Sequence, residues 1–325
     1  MALRIAIACV LALATSLGGV VGVRADPPGR WRFSDETRPV KAVVIGGSVS
    51  AWPTGSFSDW IPAMCPKVEI VNRGKAKLGT QALRGRYRDE VTKNRVLRVA
   101  ERTGAGEEIW LVFMAGLNSI GNPEATNIEV TKSFAAAHDD GLRVMGLTPN
   151  PWGAEYDRRW KGHDGLLYFE HTQKVVDHFF GRLDVETALG RYADGRTELI
   201  PAERADVTVD LWTGSLRDAE ASVRDADKLA RDVRRSSVVR ARTKELPEGE
   251  KEAAVAALTA RASELPRWYM QDRFKSFDAI HPNADGHREI ARAICAAAPP
   301  SWGCDCASID RGVWDRKAGQ IVFSE

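Results

Sequence analysis

Five short apolar runs, each followed by a longer helical pattern, constrain this chain more than any other feature. They lie at 41–45 (KAVVI), 68–72 (VEIVN), 109–115 (IWLVFMA), 142–148 (LRVMGLT) and 205–211 (ADVTVDL). Most are continuously apolar rather than alternating, as strands covered on both faces are. Helix-period patterns fill the gaps at about 81–101, 127–137, 168–180 and 284–297. This alternation predicts an α/β fold, a three-layer α/β/α sandwich around a central parallel five-stranded sheet. Ligands of such sheets bind beyond the carboxyl ends of the strands. The residues that directly follow each strand are therefore the ones to read for chemistry.

The segment 215–265 departs from that alternation. Leu216, Ala219, Val223, Ala226, Ala230 and Val233 follow a three-four spacing, with Ser215 and Asp218 placed as a capping box. A break at LPEGE (246–250) precedes a second run, Val255, Leu258, Ala262 and Leu265, which Pro266 stops. The pattern predicts a charged helical hairpin inserted before the last part of the domain. It packs with a solvated outer face, or it shapes substrate choice.

The 325 residues carry a formal charge of +2, which points to neither a nucleic-acid partner nor a polyanion receptor. Arg4, the apolar stretch that follows it and Val23-Arg24-Ala25 resemble a leader with an A-x-A cleavage site. The expectation is a signal peptide over 1–25, a domain over 26–325 and a secreted or periplasmic protein. A retained membrane anchor is the alternative, and no later segment is apolar enough to span. With Cys9 in the leader, Cys65, Cys295, Cys304 and Cys306 remain. Four cysteines in an oxidising compartment suggest two disulfides. A bridge across one residue is strained, so Cys65 and Cys295 are each expected to pair with one member of the C-x-C. A metal site at the C-x-C is the discounted alternative.

Four loops carry four kinds of chemical group. Ser48 follows the first strand in GGSVSAW, a glycine loop (72–80, NRGKAKLGT) follows the second, and Asn118 follows the third in GLNS. Asp278 and His281 precede the last helix in DAIHPNADGH. A serine hydroxyl needs an adjacent base to act as a nucleophile. Imidazole titrates in the right range, and a carboxylate three residues earlier can orient it. Ser50 is the rival serine. His171 and His178 share a helix face and read as packing or surface groups, His287 lies in the last helix, and His138 and His163 fall in surface segments. No metal and no cofactor are called for. Trp52, Trp152 and Trp160 are candidates to stack on sugar rings or acyl chains, with burial in the core as the other reading.

This constellation resembles the SGNH, or GDSL-like, hydrolase superfamily. The matching residues are Ser48, Gly79 (with Gly74 as the second choice), Asn118, Asp278 and His281. DAIHPNADGHREIARAI is the most specific part of the match. The resemblance implies a flavodoxin-like SGNH fold and a catalytic set Ser48, Asp278 and His281. It implies an oxyanion hole from the Ser48 and Gly79 N–H groups and the Asn118 amide. Two positions depart from the family pattern: Gly47 stands where Asp is usual, and Ser119 replaces the Asp of G-x-N-D. The function implied is an exported serine esterase that cleaves a carboxylic ester, such as an O-acetyl group, of a small-molecule, glycan or lipid substrate. The alternatives are an acyltransferase that uses the same acyl-serine and a catalytically weak glycan- or surface-binding protein.

Overall fold

The computed structural model describes residues 32–323 apart from 316 and 319. The expected leader (1–25) and Cys9 lie outside the described residues. Five strands form one parallel sheet: β1 (Val40–Gly46), β2 (Val68–Asn72), β3 (Glu108–Met114), β4 (Arg143–Leu147) and β5 (Val207–Val209), in the order β2-β1-β3-β4-β5. The continuous apolar runs have the predicted cause. Ala42 and Val44 of β1, with Trp110, Val112 and Met114 of β3, face one layer, while Val43, Ile45, Ile109, Leu111 and Phe113 face the other.

The first layer contains α1 (Phe57–Met64) and α10 (Ala284–Ala297), and the second α2 (Thr80–Tyr87), α4 (Pro123–Asp139) and α5 (Gly162–Phe179). The result is the expected three-layer α/β/α sandwich. Its order reverses between β1 and β3, and such a switch point opens a crevice at the carboxyl ends of the two strands.

Three elements differ from the sequence reading. The helix expected over 81–101 is α2, one π turn (Arg88–Thr92) and a separate short α3 (Val99–Gly104). Asn94 Oδ1 accepts the N–H groups of Val96 and Leu97. That turn offers the backbone an alternative to the helix and separates the two pieces. The fifth strand is shorter than its apolar run. A β-hairpin, β6 (Gly312–Asp315) and β7 (Gln320–Phe323), closes the described chain and was not read from the sequence.

The insertion is the main correction. Residues 215–225 are not helical. The Asp218 N–H donates to Tyr269 O, Arg267 N–H to Ser222 O and Gln271 N–H to Leu216 O, so this stretch pairs with the returning segment instead. The Asp218 carboxylate receives Trp268 Nε1–H at 2.5 Å rather than closing a capping box. Helix begins only at α7 (Ala226–Arg235) and continues as α8 (Ser237–Thr243) and α9 (Glu248–Ser263). The predicted hairpin is therefore three helices. α7 and α9 cover α5 through a small core of Leu166, Leu229, Ala262 and Leu265, and α8 packs on those two helices through Val239. Between β4 and β5, α6 (Val185–Leu189) packs with Ile128 of α4.

Candidate active site

β1 ends in Gly46 because no side chain fits there. A Cβ at that position would lie 2.1 Å from Ser50 Oγ and 2.9 Å from the Met114 carbonyl. The chain turns at this close contact, and Ala51 N–H closes the turn on Gly47 O at 2.9 Å. The turn leaves Ser48 partly exposed and buries Ser50 completely. Ser50, the rival serine, is fully buried, with its Oγ under Gly46.

Ser48 Oγ lies 2.8 Å from His281 Nε2. His281 Nδ1 lies 2.8 Å from Asp278 Oδ2, while Asp278 Oδ1 accepts the N–H groups of Ile280 (2.9 Å) and His281 (2.8 Å). The two amide bonds fix the carboxylate. With Nδ1–H donating to Asp278, Nε2 is left as an acceptor facing the serine hydroxyl.

The loop that carries His281 is held from three sides. Ser276 N–H donates to His281 O at 3.0 Å, and Asn283 N–H to Phe274 O at 2.8 Å. From the end of β4, the buried Asn150 amide donates to Ile280 O at 2.9 Å and to Pro151 O at 2.8 Å. The sequence reading missed Asn150. Its position directly after a strand was the only signal available.

Asn118 lines the same crevice as Ser48, and Gly79 adjoins it through its neighbour Leu78. Its walls include Gly47, Ser48, Leu78, Leu83, Met114, Asn118, Pro149 and Asn150. Asn118 Nδ2 donates to Leu78 O at 3.0 Å, which leaves its second amide hydrogen uncommitted by that bond. Gly79 is the N-cap of α2, with extended backbone, next to Leu78. Gly74, the second choice, packs elsewhere: a Cβ there would meet Ala51 N at 2.7 Å, against the back of the Ser48 turn.

The two departures from the family pattern have structural explanations. A Cβ at Gly47 would stand 3.2 Å from Asn118 Nδ2, so glycine lets the amide approach the Ser48 turn. Ser119 Oγ accepts Thr80 N–H at 3.3 Å and shares a 2.7 Å bond with Thr80 Oγ1. It caps the first turn of α2 from outside, where Gly79 has no side chain to do so, and ties the Asn118 loop to the Gly79 loop.

Aromatic residues divide between rim and core. Trp52, Phe277 and His281 stack near-parallel, with ring centroids 5.3–6.2 Å apart, and Phe277 is 77% exposed. Trp152 and Trp160 are fully buried against each other and Tyr168 or Phe169, so they pack the core and do not meet a ligand. His287 is buried beside Trp52 and Phe57, and burial pushes its pKa down to about 3. His178, bonded to Thr131 Oγ1 at 3.0 Å, is likewise pushed down by burial, to about 4. Both read as neutral packing groups. The cysteines pair as Cys65–Cys304 and Cys295–Cys306, each member of the C-x-C taking a different partner. The bridges fasten the tail to α1 and α10 on the first layer.

No protein-family model matches this chain, and neither does any curated protein sequence. Solved structures do resemble it. A member of the lipolytic G-D-S-L family from Veillonella parvula is 12% identical, with 79% of this chain and 97% of that chain aligned at a TM-score of 0.41. An acetyl xylan esterase, AlAXEase, is 12% identical over 80% of this chain and all of its own, at a TM-score of 0.41. A catalytic variant of an acetylxylan esterase from Geobacillus stearothermophilus is 12% identical over 82% and 95%, at 0.40.

Proposed function

We propose that this chain is a serine hydrolase of carboxylic esters. The hydrogen-bonded relay Ser48–His281–Asp278 carries the reading, because each link lies at 2.8 Å with donor and acceptor roles that suit proton transfer. His281 Nε2 takes the hydroxyl proton as Ser48 Oγ forms a bond to the ester carbonyl carbon. The carbonyl π electrons move to oxygen, and the Ser48 and Gly79 N–H groups and the Asn118 amide receive that oxyanion. Collapse breaks the bond to the alcohol oxygen, which leaves with the proton from His281. The acyl-serine then meets water by the same steps in reverse roles. Leu78, Leu83, Met114 and Pro149 offer the acyl group apolar walls. The alcohol leaves on the His281 side, beside Trp52 and Phe277.

Two disulfides support a working place in an oxidising compartment, in keeping with the leader read from the sequence. The decisive test is labelling by a fluorophosphonate together with turnover of an ester panel from acetyl to long acyl chains. The reading requires label on Ser48 that is lost in Ser48→Ala. An unlabelled wild type with no turnover overturns it.

A further inference from the structure

α7 and α8 carry a concentration of charge that the ester chemistry does not use. From Lys228 to Lys244 there are seven cations and one acid, Asp232, in a chain whose whole surplus is +2. All seven cations are exposed, whereas Asp232 is half-buried and lies against Gly162. Arg234 pairs with Glu252 at 3.1 Å and Lys244 approaches Glu245 at 3.7 Å. Lys228, Arg231, Arg235, Arg240 and Arg242 have no ion pair or side-chain hydrogen bond among the described residues. Asp225 is occupied in capping Lys228 N–H, and Asp227, in the first turn of α7, directly precedes Lys228 and lies one turn before Arg231.

The placement is ordered. On α7, Lys228, Arg231 and Arg235 fall at i, i+3 and i+7, one face of a helix, while Leu229 and Val233 are buried on the other. Five exposed cations without a direct ion pair on neighbouring helices form a surface that attracts anions. The face also lies at the site's end of the molecule. α7 packs on the N-terminal turn of α5, which leaves the carboxyl end of β4. The loop between them bonds the base loop through Gly153 N–H to Ala279 O at 2.9 Å.

We infer that the α7–α8 face is a binding site for an acidic polysaccharide, a chain of uronate or similarly charged sugars. Among the described residues no large hydrophobic side chain is exposed on α7 or α8. The face therefore lacks the apolar anchor with which an amphipathic helix enters a lipid surface. It also lacks aromatic groups on which nucleic-acid bases would stack. A flexible polyanion whose hydroxyls carry esters meets both conditions and would be held close to Ser48. The binding of a polyanion rests on the charge of the face, and the choice of an esterified glycan rests on the ester chemistry proposed above.

The test uses immobilised polygalacturonate and the full chain over a range of salt. Wild type is expected to bind at low salt and to lose affinity steeply as salt rises. Replacing four of the arginines together (R231Q, R235Q, R240Q, R242Q) is expected to weaken binding about tenfold or more, because each released counterion adds to the salt dependence. Lysine at the same four positions should retain binding, which separates lost charge from a lost fold. Ser48→Ala should bind like wild type whether or not the esterase reading holds. No wild-type binding at low salt, or equal binding by the glutamine variant, overturns the inference. Tighter binding to phosphatidylglycerol vesicles or duplex DNA than to polygalacturonate overturns the assignment to a glycan.

Discussion

Ser48 Oγ and His281 Nε2 are 2.8 Å apart although 233 positions separate them in the chain. The end of β1 places Ser48, and the 276–283 loop, held by Asn150, Phe274 and its own backbone bonds, places His281. The first expected outcome follows directly. Ser48→Ala and His281→Ala each lower p-nitrophenyl acetate turnover by about a thousandfold or more, and the double variant is little worse, because nucleophile and base act as a unit. Asp278→Asn keeps the fold and lowers kcat by about ten-thousandfold by favouring the wrong imidazole tautomer. Ser50→Ala leaves turnover intact. Steady-state kinetics on purified variants check all four.

Asn118 and Asn150 separate stabilisation of charge from positioning. Asn118→Ala is expected to lower kcat by about 100- to 1000-fold with little change in KM, since the amide meets charge that exists only in the transition state. Asn150→Ala frees the Ile280 carbonyl and loosens the base loop, at a cost of about tenfold to a hundredfold in kcat. Its activity–pH profile keeps the wild-type shape, because neither His281 nor Asp278 is removed. A shifted profile would reassign Asn150 to the proton chemistry itself.

The disulfides are unequal. Cys65–Cys304 spans 239 residues and Cys295–Cys306 spans 11. In the chain-entropy view the long loop is worth about 5 kcal/mol and the short one about 3 kcal/mol. Removing Cys65 and Cys304 as serines should therefore lower the urea midpoint more than removing Cys295 and Cys306. Peptide mapping without reductant should recover the two cross-linked pairs and no 304–306 bridge.

Stability should fall on the acid side through two histidines. Both His178 and His287 are neutral in the native state, with pKa values pushed by burial to about 4 and about 3. Unfolded histidine titrates near 6.5. Between those values the unfolded chain binds more protons, so stability rises with pH there. The contribution is complete above about pH 7 and is lost as pH falls from about 6.5 toward 4 and 3, at about 1.4 kcal/mol per unit of pKa shift. His287→Phe keeps a ring against Trp52 and Phe57 and removes one of the two titrations. Urea midpoints at pH 7 and pH 5 should differ less for this variant than for wild type.

Much of this was legible along the chain. Burial on both faces forces continuous apolar runs, so the five strands were visible, and chain order made Ser48 and Asn118 strand-end residues. The Asp278–His281 spacing is local, since a three-residue turn suffices to join carboxylate to imidazole. Hydrophobic period reports that a residue is covered and is silent about what covers it. Leu216, Ala219 and Val223 show the cost: their spacing is helical, yet the backbone around them is committed to the 266–271 segment, some fifty residues on. Trp152 and Trp160 could have faced a ligand until packing put them in the core. Ser48 and Ser50 both follow the glycine pair within three residues, and only the contact of Gly46 with Ser50 and Met114 buries one and leaves the other at the crevice. Ser119 replaces a carboxylate in the sequence, and only its approach to Thr80 shows that a hydroxyl does the capping. Apolar period and local turns depend on neighbours in the chain. Hydrogen bonds and close packing depend on groups that only the folded sheet brings together.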